Sequence, residues 1–190
     1  MKGIVKAFPG VIANNHVNLS VKAGEIHALL GENGAGKTTL MNILYGLYQA
    51  DSGSVYWKGE RAHFHSPLDA IAAGIGMVHQ HFTLIPTMTV LQNIILGLKE
   101  KGYPFIKIAE ITEGIQALAK RYGLAVDVKK RVSELSVGEQ QRVEILKALY
   151  RGAELLVLDE PTAVLTPRET CKFFEVLRRL KSEGHAVILI

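Results

Sequence analysis

The chain has 190 residues, 48% of them hydrophobic and 21% charged, with a formal net charge of +4 and a mean hydropathy of +0.16. That length buries a real core in one domain, and a mildly basic balance without a dense Lys/Arg block argues against a nucleic-acid partner. The single cysteine, Cys171, excludes an internal disulfide and suits a reducing compartment; its place in a helical pattern predicts a packing role.

Residues 1–28 read as strands, with turn signals at Phe8-Pro9-Gly10 and Ala23-Gly24-Glu25 and no signal peptide ahead of them. Ile26–Leu30 is a further predicted strand. Leu40, Ile43, Leu44 and Leu47 then mark the buried stripe of a helix. Ser54–Trp57, a Lys58-Gly59 turn and Glu60–Phe64 predict a hairpin. Ser66-Pro67 starts a helix that stops near Gly74. Gly76–Gln80 is a short strand with a polar end.

No Asp, Glu, Lys or Arg occurs from Ala70 to Leu98, but Gly74, Gly76, His79, Gln80, His81, Pro86, Gln92 and Asn93 interrupt the stretch, so it is not read as a membrane span. Within it, Phe82, Leu84, Ile85 and the apolar face of 90–98 suit either ordinary core or a groove for a partner. Residues 89–133 are helix-rich, with one amphipathic helix over Ile108–Tyr122. Ser136-x-x-Glu139 is a capping box opening a helix to about Tyr150. Leu155–Asp159 reads as a buried strand. Thr166-Pro167-Arg168-Glu169 caps a helix that ends at Gly184. Ala186–Ile190 is a last buried strand, after which the sequence stops, and this predicts a truncated chain.

The decisive stretch is Gly31-Glu32-Asn33-Gly34-Ala35-Gly36-Lys37-Thr38-Thr39, which fits G-x-x-x-x-G-K-[ST] between a strand and a helix. Its glycines let the backbone curl so that successive N–H groups face phosphate oxygens, and the helix adds its positive end. Lys37 would reach the β- and γ-phosphates and Thr38 would ligate Mg²⁺. Three strands end at chemistry: before this loop, before His79-Gln80 and before Asp159-Glu160. In a parallel sheet, ligands sit outside the carboxyl ends of the strands, so all three would converge on one nucleotide. His63, His65, His79 and His81 lack a carboxylate or cysteine at ligand spacing and are not read as a metal set.

With these residues in place, the chain resembles the ATPase subunit of an ABC transporter, and within that superfamily it is similar to the importers of nucleosides and simple sugars. GENGAGKTT resembles the Walker A loop, MVHQHF the Q-loop, LSVGEQQR the signature and LLVLDEP the Walker B strand. The resemblance implies an α/β fold: a P-loop NTPase with a RecA-like parallel core, an N-terminal antiparallel β portion and a helical subdomain at 89–133 inserted into one ATPase domain over 1–190. It implies ATP and Mg²⁺ as ligands, with Asp159, Thr38 and Gln80 toward the metal and Glu160 polarising the attacking water. It places Phe8 where an adenine-stacking aromatic would lie.

For Ser136 it adds a second role to the cap: Ser136 and Gly138 would meet the γ-phosphate held by a second ATPase domain in a head-to-tail sandwich. Further implied partners are transmembrane permease subunits and, indirectly, a solute-binding protein, at the cytoplasmic face of the membrane. Val137 and Glu139 stand where Gly and Gln are commoner, and Thr166 where Asp is. Together with the missing switch histidine, these predict a piece that binds MgATP and hydrolyses it poorly. The rival readings are a DNA-repair or translation-associated ABC ATPase and a small-molecule kinase; the kinase leaves the signature unexplained.

Overall fold

Two four-stranded sheets organise the computed structural model, which describes residues 1–98 and 107–190. Part of the predicted helical insertion, 99–106, lies outside the described residues. The first sheet is antiparallel. Strands β1 (Lys2–Phe8) and β2 (Val11–Val17) form a hairpin around Pro9-Gly10; β4 (Ser52–Trp57) pairs with β1 and β5 (Glu60–Ala62) with β4, in the order β2-β1-β4-β5. The second sheet is wholly parallel: β3 (Ile26–Ala28), β8 (Ala186–Leu189), β7 (Leu155–Leu158) and β6 (Ile75–Val78), in that spatial order.

All four residues of β6 and of β7 are buried, as expected of parallel strands covered on both faces. Alternation along β7 divides the core. Leu156 and Leu158 pack with Val78 and Val187 under helices α5 (Val137–Tyr150) and α6 (Pro167–Ser182), together with α3 (Val90–Ile95) and α4 (Ile108–Tyr122). Leu155 and Val157 face the other way, against α1 (Lys37–Leu44), α2 (Pro67–Ala72) and Ile4 of the antiparallel sheet. Leu158 is fully buried, and truncation to Ala would cost about 2–5 kcal/mol.

The approach of α5 to the sheet depends on one residue. A Cβ on Gly76 of β6 would lie 2.9 Å from the Ala148 Cβ and 3.0 Å from the Ala153 Cβ, so helix and strand touch there without a side chain between them. The two ends of the segment around α3 and α4 also meet, because Val90 N–H donates to Lys130 and Val132 N–H to Met88.

The helices start where the capping residues predict. Asp69 accepts from the Ser66 N–H before α2, and Thr166 exchanges bonds with Glu169 before α6. Differences lie at strand ends and at Leu47, which falls beyond the end of α1 at Leu44 and is exposed rather than part of the buried stripe. β3 stops at Ala28 rather than Leu30, which is 89% exposed; Leu29 N–H still donates to Leu189, after which the chain leaves the sheet to build the glycine-rich loop. β4 starts at Ser52, recruited by pairing with Val5, and β5 ends at Ala62. Cys171 does not pack: it lies on the exposed side of α6, whose buried residues are Phe173, Val176, Leu177 and Leu180. The uncharged stretch divides by burial. Leu84, Val90 and Ile94 enter the core, while Phe82, Leu91 and Ile95 are only partly covered. Among the described residues, no helix is long and apolar enough to cross a membrane.

Candidate functional site

The loop between β3 and α1 owes its shape to glycine and to a neighbour from the other sheet. Gly36 is the N-cap of α1 in the left-handed region, at φ +85°, and supplies no side-chain cap, so no side chain occupies the helix end. A Cβ there would collide with the Ala13 carbonyl and the Asn14 side chain. Asn14, 4% exposed on β2, donates from Nδ2 to the Gly36 carbonyl at 3.1 Å. The Lys37 Nζ folds back over the loop and donates to the Gly31 and Glu32 carbonyls, both at 2.8 Å. Glu32, Asn33, Gly34 and Ala35 are exposed along the rim, followed by Lys37, Thr38 and Thr39 in the first turn of α1.

Across from this loop lie the ends of β6 and β7. Asp159 N–H donates to Val78, which ties the two strand ends together. Burial, and then the neighbouring Glu160 carboxylate, push the Asp159 carboxyl above the ordinary Asp range; His79, Lys37 and a hydrogen bond with Thr38 oppose that rise. Lys37, Thr38, His79, Asp159 and Glu160 therefore share one electrostatic neighbourhood. Gln80 joins them, donating from Nε2 to the Glu160 Oε2 at 2.9 Å. Glu160 itself has φ +45°, unusual for a residue with a side chain, and its N–H is held by the Ile190 carbonyl at 3.2 Å.

The signature residues belong elsewhere in the chain's contacts. Ser136 caps α5: its N–H donates to Glu139 Oε2 at 2.8 Å, and its Oγ accepts from the Glu139 N–H at 3.3 Å. The hydroxyl hydrogen remains available to an anion, so the cap and a phosphate contact are compatible. Gly138 is buried against Glu169 and Leu165. Phe8 lies outside both cores, edge-on to Tyr48 at 5.5 Å and beneath the Lys6 ammonium, also at 5.5 Å.

Sequence reasoning missed Asn14, Asn93 and Glu144, and read His79 only as flanking Gln80, whereas its ring packs edge-on against Tyr45 and it belongs to the electrostatic surroundings of Asp159. Asn93 and Glu144 interrupt an apolar pattern, and that was the available signal; Asn14 opens the polar run Asn14-Asn15-His16 and gave none.

A family profile described as ABC transporter matches residues 14–163, a span running from Asn14 through the loop, Gln80, the Ser136 cap and the Asp159-Glu160 pair. The chain belongs to the ABC transporter family. Relatives include a guanosine import ATP-binding protein of Bacillus subtilis, 53% identical over 99% of this chain and 37% of its own length. A glucose import ATP-binding protein of Haloferax volcanii is 52% identical over the whole chain and 40% of its own. A ribose import ATP-binding protein of Burkholderia thailandensis is 49% identical over the whole chain and 38% of its own. The chain thus spans well under half the length of these relatives.

Among solved structures, the ADP conformation of an ATP-binding cassette superposes with a TM-score of 0.87 at 29% identity, covering the whole chain and 78% of the cassette. A dimeric bacterial ABC transporter cassette gives 0.83 at 29% identity, with 99% and 85% covered. The ABC fold is therefore the α/β P-loop arrangement expected from the motifs. Phe8 precedes the matched span, so its part in an ABC site rests on position alone.

Proposed function

We propose that the chain is the ATP-binding and ATP-hydrolysing part of an ABC importer for nucleosides or simple sugars, working at the cytoplasmic face of the membrane. The observation that carries this reading is the convergence of Lys37, Thr38, Gln80, Asp159 and Glu160 at the carboxyl ends of β3, β6 and β7. The import relatives of Bacillus, Haloferax and Burkholderia support the transport assignment over a repair or translation role.

In this reading the Gly31–Thr39 loop cradles the phosphates, Lys37 turns from its own loop carbonyls to phosphate oxygens, and Phe8 stacks on the base. The residues present fit Mg²⁺: Thr38 and Gln80 offer oxygens, and Asp159 is a carboxylate crowded by a second one, a situation a cation relieves. Bound there, Mg²⁺ would neutralise charge building on the phosphates. Glu160, steered by the Gln80 amide, orients and polarises the attacking water.

Ser136 and Gly138 make their contacts with Glu139 and Glu169, not with the phosphate loop of their own chain. This supports a head-to-tail pair in which each signature closes the other chain's ATP, and the dimeric cassette at 0.83 is a precedent for association. The 89–133 segment would be a helical subdomain within the ATPase domain. The partly covered Phe82, Leu91 and Ile95, beside Leu84 and Ile85, would form the groove that receives a cytoplasmic helix of the permease, with the solute-binding protein acting through that subunit.

Glu160→Gln tests the reading. MgATP hydrolysis should fall about 10²–10⁴-fold while binding persists, and sizing should show the variant's mass double with MgATP. Unchanged hydrolysis rejects the catalytic assignment, and unchanged mass rejects the sandwich.

A further inference from the structure

Four Asn, Gln or Glu side chains are almost wholly buried among the described residues, and each makes at least one bond to the backbone of a segment that follows a strand. Asn14 holds Gly36. Asn93, 2% exposed, accepts from the Ile85 N–H at 2.7 Å and donates back to the Ile85 carbonyl at 3.1 Å. Glu144, 5% exposed, accepts from the Thr83 N–H at 2.7 Å and from its hydroxyl at 2.9 Å. Gln141, 4% exposed, donates from Nε2 to the Pro161 carbonyl at 2.6 Å. The last two stand on successive turns of α5 and grip different loops: Glu144 the one carrying Gln80, Gln141 the one carrying Glu160.

The grip on Pro161 bears on Glu160 directly. Proline's ring fixes its own φ, so few torsions separate the Pro161 carbonyl from the Glu160 side chain. With the Glu160 N–H already tied to Ile190, a fixed Pro161 carbonyl leaves the left-handed Glu160 backbone held from both sides. A strained conformation persists only when its surroundings over-determine it. A leucine would fill the same volume without holding the carbonyl, so packing alone does not call for glutamine here.

We propose that Gln141 is a positioning residue for Glu160, with Glu144 holding the Gln80 loop from the next turn, so that α5 sets the Gln80–Glu160 contact. The proposal rests on the reading that Glu160 polarises the attacking water. It adds that the same helix whose first turn carries Ser136 also sets the hydrolytic carboxylate of its own chain.

Equilibrium ATP binding and single-turnover hydrolysis of radiolabelled MgATP by the full chain test it. Gln141→Leu should slow hydrolysis about ten- to a hundredfold, the scale of a small misplacement of a reacting group, with ATP affinity kept within about twofold. In a Glu160→Gln background the same change should add no further loss, because a residue acting through Glu160 has nothing left to position. If Gln141→Leu does not fold, Gln141→Glu decides. Its carboxylate repels the Pro161 carbonyl and its protonated form donates to it, so hydrolysis relative to the parent should recover as pH falls. A full additional loss on top of Glu160→Gln, a weakened ATP affinity with unchanged turnover, or a Gln141→Glu ratio flat in pH overturns the proposal. A Glu160→Gln chain as fast as the parent overturns the catalytic reading itself, and is recognised because it involves no Gln141 variant.

Discussion

Helices α1 and α5 both point their positive ends toward places where phosphate is expected, yet they are finished differently. α1 begins at a left-handed glycine with no side-chain cap, and the nearby cation, Lys37, is parked on carbonyls it would leave for a phosphate. α5 is closed by its own chain, with Ser136 and Glu139 capping each other. In the proposed function the first end is completed by a ligand. The second is stable without one, and contact with an anion would add only about 0.3–2 kcal/mol.

The contrast can be broken most sharply at Lys37. Lys37→Ala should weaken MgATP binding about a hundredfold by calorimetry, because charge-assisted bonds contribute roughly 1.5–3 kcal/mol each. Ser136→Ala should weaken that affinity far less, and equal losses would show that the two ends are not distinct. A milder version is Asn14→Leu, which removes the support under Gly36 and should weaken binding about fivefold without touching a phosphate contact.

At α5 the expected loss is of stability instead. Ser136→Ala removes a cap worth about 1 kcal/mol and should lower the melting midpoint by roughly 2–4 °C. An unchanged midpoint would mean that the cap carries no weight.

The smallest effects separate the two regions by sign. Hydrogen bonding from the Ser136 N–H holds the Glu139 carboxyl below the usual Glu range, so its stabilisation is present above that range and disappears as pH falls through the lowered value. Asp159 is raised by burial and by Glu160, so its neutral form suits the fold, and stability is lost as pH rises from the ordinary Asp value through the raised one. In Mg²⁺-free buffer at neutral pH, Glu139→Gln should therefore lower the melting midpoint and Asp159→Asn should raise it. Shifts of the same sign would contradict these environments.

Much of this was legible in the sequence because turn and capping chemistry is local. Ser66-Pro67, Ser136-x-x-Glu139 and Thr166-Pro167 each announce a helix within four residues, and the helix over Ile108–Tyr122 follows from periodicity. The supports were not legible, since Gln141 finds its carbonyl twenty residues away and Glu144 its loop sixty-one residues back. A polar residue within an apolar stripe signals burial without naming its partner. Cys171 failed for the opposite reason: a helical pattern does not say which face a small residue takes, and α6 turns it outward.

Where β6 meets Ala148 and Ala153 of the neighbouring elements at Gly76, the contact is made by two methyl groups with no rotatable side chain to absorb a displacement, and the Leu156 side chain packs beside them. A push on α5 from a neighbouring molecule would be passed straight into the strand, as through a gear tooth without backlash. Gln80, two residues past the end of that strand, would feel it before any softer part of the structure could yield.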